Sequence, residues 1–262
     1  MAALNNVIIN PCTFTFAPGV TNLTIDNTHN PSLPIGVYEP GVYCTIGAVT
    51  SAAVTLSGEG TYIFRVAGAF DMVLGTNVTV TNGASACNVF RTPIAATTFG
   101  ANVNFIGTII DNAGITIGAN TTWMGRALSS ASTINTTTDT ITVPNCIAPT
   151  LNIITSVIGG TKVPANFTIH VNFSGGPDIA GSPAIGIGGI GTPYTLSAGT
   201  YTYVISENTD ASYTPSFSAG CPGGNITLSA GDIKTCTITN TYIPPSSGGG
   251  GSSTLSMDSC PN

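Results

Sequence analysis

Charged side chains are scarce in this sequence. Only 6% of its 262 residues are charged, against roughly 25% in an average soluble domain. Five basic residues stand against 11 acidic ones, which gives a net charge of −6. The basic residues are also scattered along the chain, at Arg65, Arg91, Arg126, Lys162 and Lys234. Because nucleic-acid binding needs basic residues clustered against successive phosphates, nucleic acid is excluded as a partner.

Long apolar runs and helix signals are missing as well. Threonine, asparagine and glycine interrupt every apolar stretch before the roughly 18 residues of a membrane-spanning helix, so we expect no membrane insertion. The first residues lack the basic and apolar regions of a signal peptide, and we expect this chain to be a mature, secreted form. No apolar stripe recurs at helical spacing, so the sequence predicts an all-β fold.

The residue patterns of common enzymes are absent too. His29 and His170 fall in different halves of the chain, and no GxSxG or HExxH motif occurs, so we expect no metal site, no cofactor and no catalysis. Residues 186–191 match GxGxxG, but Thr-Pro follows where a dinucleotide-binding helix would begin. Three carboxylates could meet on stacked coils as in a polysaccharide hydrolase: Asp71, Asp111 and Asp139. The single tryptophan, Trp123, falls in a column predicted to be core rather than beside them.

Seven cysteines without a CxxC pair indicate disulfides and an extracellular or cell-surface location. Cys221 and Cys236 flank a predicted strand-turn-strand, so we expect them to pair. Four cysteines of the first half allow three pairings, which the sequence leaves open: Cys12, Cys44, Cys87 and Cys146. Cys260 is left over and is free to pair between chains.

Threonine and glycine are abundant, with 41 and 32 residues, and they belong to a repeat. Apolar residues that end short predicted strands recur mostly every 17 or 18 residues, at Leu56, Leu74, Phe99, Ile117 and Ile134. A period of about 18 residues fits one coil of a three-sided β-solenoid with glycine or asparagine at its corners. One longer gap, of 25 residues, predicts a bulged coil around residues 91–93.

Stacked coils place equivalent residues in rows at the strand spacing of roughly 4.7 to 4.8 Å. Rigid rows of threonine methyl and hydroxyl groups can order water into an ice-like layer, although rows of threonine and asparagine also suit any solvated solenoid face. The candidate surface-binding residues are Thr76, Thr79, Asn104, Thr122, Thr136, Thr98, Thr116, Thr133, Asn77, Asn102 and Asn120.

Several segments resemble the bacterial-type ice-binding protein family: PGVY (40–43), GTYIFRVAG (60–68), FIGTI (105–109) and MGRAL (124–128). The resemblance implies a right-handed three-sided β-solenoid with a helix alongside, no cofactor, and adsorption to ice through a flat threonine-rich face. The family's surface motif, T-A/G-x-T/N, falls on residues 76–79, 101–104, 119–122 and 136–139, where Asn replaces the small second residue three times.

The 18-residue period ends near residue 148, and alternating strands with Gly, Pro and Asn turns then predict a small β-sandwich. YTLSAGTYT (194–202) and CTITN (236–240) are similar to prealbumin-like or pilin-type Ig-like surface repeats, which implies a stalk. The predicted organisation is an N-terminal strand and loop segment (1–39), a β-solenoid (40–147), an Ig-like domain (148–243) and a Gly/Ser-rich tail (244–262).

Two functions remain open from the sequence. The first is a non-catalytic extracellular protein that adsorbs to ice or another repetitive surface. The second is a structural subunit of an extracellular filament, pilus-like fibre or adhesin, assembled by solenoid stacking or strand addition. The second is favoured by the short segment before residue 40, which leaves the solenoid without the family's usual cap, and by the odd Cys260.

Overall fold

The computed structural model describes residues 11–174 and 176–245. Within residues 11–142 the chain forms sixteen short strands and one 3-10 helix, η1 (Ala86–Asn88). In chain order the strands are β1 (Phe14–Thr15), β2 (Thr21–Asn22), β3 (Val37–Tyr38), β4 (Gly41–Cys44), β5 (Val49–Ser51), β6 (Val54–Ser57), β7 (Tyr62–Val66), β8 (Phe70–Met72), β9 (Val78–Thr81), β10 (Val89–Pro93), β11 (Thr97–Phe99), β12 (Asn104–Asp111), β13 (Ile115–Thr116), β14 (Thr122–Ser129), β15 (Ile134–Asn135) and β16 (Thr140–Thr142).

These strands form three parallel sheets. Sheet A has the order β1-β4-β7-β10-β12-β14-β16, sheet B the order β15-β13-β11-β8-β5-β2, and sheet C the order β3-β6-β9. The chain passes from sheet A to B to C in its first coils, and each strand pairs with the equivalent strand of the next coil. In the last coils β12 and β14 begin beside sheet C, where Asn104 pairs with Asn77, and continue into sheet A. The all-β prediction is confirmed, and the stacked parallel sheets agree with a β-solenoid; we call residues 12–142 the solenoid unit.

The ends and lengths of the coils differ from the expected pattern in two places. Strands β1, β2 and β3 lie before residue 40 and pair in parallel with β4, β5 and β6. These strands have two residues each, too few to show a period in the sequence. The extra residues of the longest coil lie between β9 and β10 and include η1, whereas residues 91–93 belong to the regular strand β10.

The predicted glycine and asparagine corner is confirmed by the backbone. Gly75, Asn102 and Asn120 have φ values of 70°, 58° and 60°, a left-handed region that glycine and asparagine enter most easily. The three turns stack on one another, because the N–H of Gly75 donates to Ala101 O and the N–H of Asn102 donates to Ala119 O, both at 2.8 Å. This hydrogen-bonded corner holds successive coils in one register.

The interior of the solenoid unit is mostly apolar, but it encloses the guanidinium of Arg91 and the carboxyl of Asp111. Arg91 is 0% exposed, and its guanidinium carbon lies 4.6 to 5.5 Å from the ring centroids of Phe64, Phe70 and Phe105. One terminal nitrogen donates to Ile106 O at 3.1 Å, while Nε and the other terminal nitrogen have no partner among the described residues. Arg91 is therefore a buried cation held by aromatic rings and a single hydrogen bond.

Residues 150–243, which we call the second unit, form two four-stranded sheets around a second core. The strands are β17 (Thr150–Ile158), β18 (Thr168–Phe173), β19 (Ala184–Ile185), β20 (Thr192–Thr195), β21 (Tyr201–Glu207), β22 (Tyr213–Phe217), β23 (Asn225–Leu228) and β24 (Ile233–Tyr242). Two 3-10 helices accompany them: η2 (Pro164–Asn166) and η3 (Pro222–Gly224). Sheet D has the order β20-β17-β24-β22, and sheet E the order β19-β18-β21-β23. The first and last strands, β17 and β24, are parallel neighbours along nine residue pairs.

Three disulfides join the described cysteines: Cys12–Cys44, Cys87–Cys146 and Cys221–Cys236. The third has the pairing expected from the sequence, and the first two supply the pairing that the sequence left open. Both cysteines of the third are 0% exposed and belong to the second core. Cys260 lies outside the described residues.

The two units contact each other at the turn that precedes η1. The hydroxyl of Tyr201 donates to Ala84 O, the hydroxyl of Ser197 donates to the carboxylate of Glu59, and the ring of Phe173 lies against Gly83. A Cβ on Gly83 would come within 2.4 Å of the Phe173 ring. The Phe173 ring therefore leaves no room for a side chain at position 83.

Replacing Gly83 by alanine is expected to lower the free energy of unfolding by about 1–3 kcal/mol more than replacing Gly75 by alanine. Both glycines have positive φ, so each alanine incurs about 1–2 kcal/mol of backbone strain. Only the Cβ at position 83 overlaps an aromatic ring, since a Cβ at position 75 meets nothing within 4 Å. Urea unfolding of the two variants measures the difference, and equal losses would contradict this packing.

Candidate binding surface

One row of mostly hydroxyl and amide side chains runs across the outer face of sheet B. Register pairs on successive strands place its members side by side, in the order Asn22, Thr50, Asp71, Thr98, Thr116 and Asn135. Burial alternates along these strands, so the neighbours of the row point into the core. We call this set the threonine row; Thr98 and Thr116 are its exposed adjacent threonines.

The row beside it on the same face is made of small residues. Ala48, Ala69, Ala96 and Gly114 lie two positions before Thr50, Asp71, Thr98 and Thr116, and backbone hydrogen bonds hold them in the same stack. Alternation along a strand turns both rows to the same side of the sheet. Because alanine and glycine project little, Thr98 and Thr116 stand above the part of the face that lies beside them.

A single ionisable side chain interrupts the threonine row. Asp71 is half-buried between Thr50 and Thr98. A carboxylate binds water more tightly than a hydroxyl does, so this position departs from the uncharged chemistry of the rest of the row.

A second exposed row lies where β12 and β14 begin. Asn77, Asn104, Thr122 and Thr140 are register neighbours, and we call them the asparagine row. The Asn104 amide donates to Asn77 Oδ1 at 2.6 Å, and the Thr122 hydroxyl donates to Asn104 Oδ1. These side chains therefore use hydrogen-bonding groups within the row, in the manner of an asparagine ladder.

Other predicted surface residues lie apart from both rows. Asn102 and Asn120 are corner residues with left-handed backbone, and Asn120 Oδ1 accepts from the Thr138 hydroxyl at 2.9 Å. Thr76 is half-buried, and its hydroxyl donates to Val73 O at 2.5 Å. Thr79 is exposed in β9 and pairs with Thr55 of sheet C.

Near the last strand of sheet B, the register differs from the one expected. Ile134 pairs with Ile115, so Asn135 rather than Thr133 lies beside Thr116. Thr133 and Thr136 are both exposed but flank the position that the row occupies. The sequence alignment missed Thr50, Asn135 and Thr140. The alternation of Val49, Thr50 and Ser51 was the available signal for the first of these.

The carboxylates considered as catalytic do not converge. Asp111 is buried, where it accepts from the Thr97 hydroxyl at 2.6 Å and from the backbone N–H of Gly114 at 2.7 Å. Asp139 accepts from the backbone N–H of Thr121 and of Thr137. Asp111 and Asp139 thus stabilise turns, whereas Asp71 lies on the outer face.

The two histidines lie in different units, as expected. His29 contacts Asp26 and Val37 O, whereas His170 contacts Asp178 and Asn208. Across residues 11–174 and 176–245, no three His, Cys, Asp or Glu side chains are grouped so as to hold a metal ion. The same residues contain no helix long and apolar enough to cross a bilayer.

Comparison with known proteins gives similarities to a family, to a protein sequence and to a solved structure. A family model described as Ice-binding-like matches residues 12–142. A protein of Flavobacterium frigoris (strain PS1) named ice-binding protein is 29% identical over 108 residues, which are 40% of this chain and 39% of that protein. This chain thus spans about two fifths of the length of that relative. A crystal structure of an ice binding protein from an Antarctic Flavobacteriaceae bacterium aligns with a TM-score of 0.44 and 23% identity over 61% of this chain and 41% of that one.

Proposed function

Because this chain belongs to the ice-binding-like family, we propose that it adsorbs to ice, without catalysis, through the outer face of sheet B. The observation that carries the proposal is the threonine row beside a row of alanine and glycine on stacked parallel strands. The three disulfides support an extracellular location for this activity.

The physical basis is a rigid, repeating array of weakly hydrated groups. Neighbouring strands lie about 4.7–4.9 Å apart, and outward residues along one strand recur at roughly 6.6–6.8 Å. The exposed threonines Thr98 and Thr116 present methyl and hydroxyl groups at the first of these spacings, whereas alanine and glycine lie at the second. A surface of this kind orders water without binding it strongly, so the ordered layer can merge with a growing ice lattice.

One observation favours sheet B over the asparagine row. The asparagine row already uses amide and hydroxyl groups in hydrogen bonds between its own side chains, which leaves fewer for water.

A matched pair of variants tests the assignment. Thr116 and Thr122 are both exposed and lie on consecutive strands, but one belongs to the threonine row and the other to the asparagine row. We expect Thr116→Tyr to remove most of the thermal hysteresis and ice shaping, because the bulky ring lifts the face from the lattice. Thr122→Tyr should retain both. The reverse result would move the site to the asparagine row, and a wild-type protein without hysteresis would refute ice adsorption.

Replacing Asp71 by threonine is expected to increase thermal hysteresis while the free energy of unfolding changes by less than about 0.5 kcal/mol. The substitution removes the charge and joins Thr50 to Thr98 in an unbroken row of hydroxyls. Osmometry and urea unfolding measure the two quantities.

Asp139→Thr is the control for this substitution. It also removes one charge, but it breaks two hydrogen bonds to backbone N–H groups, so it should lower stability by about 1–3 kcal/mol without increasing hysteresis. Unchanged or reduced activity in Asp71→Thr would show that the row does not contact ice.

The second unit is proposed to be an Ig-like or prealbumin-like stalk that begins near residue 148. Its two four-stranded sheets around one core, closed by the Cys221–Cys236 disulfide, support that assignment. A fragment that begins at residue 148 is expected to fold alone, and a cooperative thermal transition in that fragment tests the boundary.

A further inference from the structure

The connection between the two units is covalently attached to both of them. Residues 143–149 link β16 to β17, and Cys146 in this segment is bonded to Cys87 in η1 of the solenoid unit. On either side of Cys146 the segment is hydrogen-bonded to the second unit. The Asn145 amide donates to Ala230 O at 3.1 Å, and the N–H of Gly231 donates to Ile147 O at 2.8 Å. The shortest covalent path from the second unit into the solenoid unit therefore runs through Cys146 to Cys87.

This disulfide bypasses residues 88–145, which include the weakly held last coil of the solenoid unit. β15 and β16 are the edge strands of sheets B and A, and every residue in both is exposed. β15 has two pairs with its neighbour, and β16 has three. Without the Cys87–Cys146 bond, tension at residue 146 would act directly on β16 and peel it from β14 one pair at a time.

The second unit, in contrast to the last coil, is arranged to resist a pulling force. The chain enters at the start of β17 and leaves at the end of β24, and these strands are parallel neighbours along nine pairs. Pulling the two ends apart loads all the hydrogen bonds between them together, as shear, rather than one after another. The second unit is thus built to resist force along the direction in which the chain passes through it.

We propose that this chain bears tension and that the Cys87–Cys146 disulfide transfers the load from the second unit into the middle of the solenoid, so that the last coils are not peeled away. The source of the load in nature rests on the proposed function, since a solenoid unit adsorbed to ice is fixed while the rest of the chain is pulled. The mechanical design itself depends only on the strand order and the disulfide.

Single-molecule force spectroscopy of the full chain, with handles at both termini and no ice present, tests the proposal. In the Cys87→Ser/Cys146→Ser variant we expect a low-force lengthening that precedes unfolding of the second unit and is absent from the oxidised wild type. Its full size is about 200 Å, from a sequence separation of 59 residues at roughly 3.3–3.6 Å per residue.

Cys12→Ser/Cys44→Ser is the matched control, because it opens a different loop with a separation of 32 residues and an added length of about 110 Å. Native circular dichroism spectra of both variants show that they are folded. The proposal is overturned if the Cys87→Ser/Cys146→Ser variant resists the same force as the wild type, or if its added length appears only after the second unit has unfolded. Because no ice is present, failure of ice adsorption would leave this result unaffected.

Discussion

Replacing Arg91 by methionine is expected to raise the free energy of unfolding at neutral pH by about 1–4 kcal/mol. Taking a guanidinium out of water costs several kcal/mol, and one hydrogen bond to Ile106 O recovers little of it. Contacts with three aromatic rings offset part of the remainder, at about 0.5–2 kcal/mol each. Methionine fills a similar volume, keeps contact with the rings and has no charge to desolvate.

Arg126→Met is the control for Arg91→Met, because it makes the same substitution on the exposed side of sheet A. Its effect should stay within about 0.5 kcal/mol. Urea unfolding followed by the fluorescence of Trp123 gives both values. A loss of stability in Arg91→Met would mean that the aromatic contacts outweigh desolvation.

The gain in stability from Arg91→Met depends on pH, because the pKa of Arg91 is lowered in the native state. Burial lowers the pKa of Arg91 from its ordinary value to about 9. Above pH 9 the native state therefore releases a proton that the unfolded chain keeps, so this group makes the wild type more stable as the pH rises. The advantage of Arg91→Met should accordingly shrink above pH 9.

The second large effect is a loss of stability in alkali. Burial raises the pKa of Tyr43 to about 12, and it raises the pKa values of Tyr38, Tyr62 and Tyr203 further. Above pH 10 the unfolded chain ionises these tyrosines while the native state keeps them neutral. The unfolded state then binds fewer protons, and stability falls by up to about 1.4 kcal/mol per pH unit for each tyrosine. In the Arg91→Met background we expect a loss of about 5 kcal/mol between pH 9 and pH 11, summed over the solenoid unit and the second unit.

Tyr203→Phe tests whether the ionisation of buried tyrosines in the unfolded chain causes the loss of stability at high pH. The Tyr203 hydroxyl is buried and has no hydrogen-bond partner among the described residues, so its removal should leave stability at pH 7 unchanged or slightly higher. The decrease in the free energy of unfolding per pH unit above pH 10 should become smaller by the contribution of one tyrosine. An unchanged slope, measured by urea unfolding at several pH values, would contradict the assignment.

The sequence predicted the fold class and the corner chemistry because both depend on local residue preferences. Threonine, valine and isoleucine favour strands, and left-handed corners need glycine or asparagine, as Gly75, Asn102 and Asn120 show. The pairing register of the last strand of sheet B, in contrast, was predicted incorrectly. The expected alignment placed Ile134 with Ile117, but Ile134 pairs with Ile115. A shift of two residues keeps every side chain on the same face, so the hydrophobic pattern is the same for both registers.

The buried Arg91 was also beyond the reach of sequence patterns. Arginine is almost never fully buried without a charged partner, so no pattern in the sequence marks Arg91 as a core residue. Its position in β10, directly beside Phe64 in β7, places it in an inward column of sheet A. Only the register between these strands shows that the charge points into the core.

The corner of Gly75, Asn102 and Asn120 bears on how this protein can change in evolution. In the last coils, equivalent residues are 18 positions apart, as Asn104 and Thr122 are. Duplication of one such coil with its asparagine would add a strand to sheets A and B while the other coils kept their neighbours. The outer face can thus grow or shrink by whole coils. Related proteins can then differ in the number of coils while the sequence of each coil stays the same.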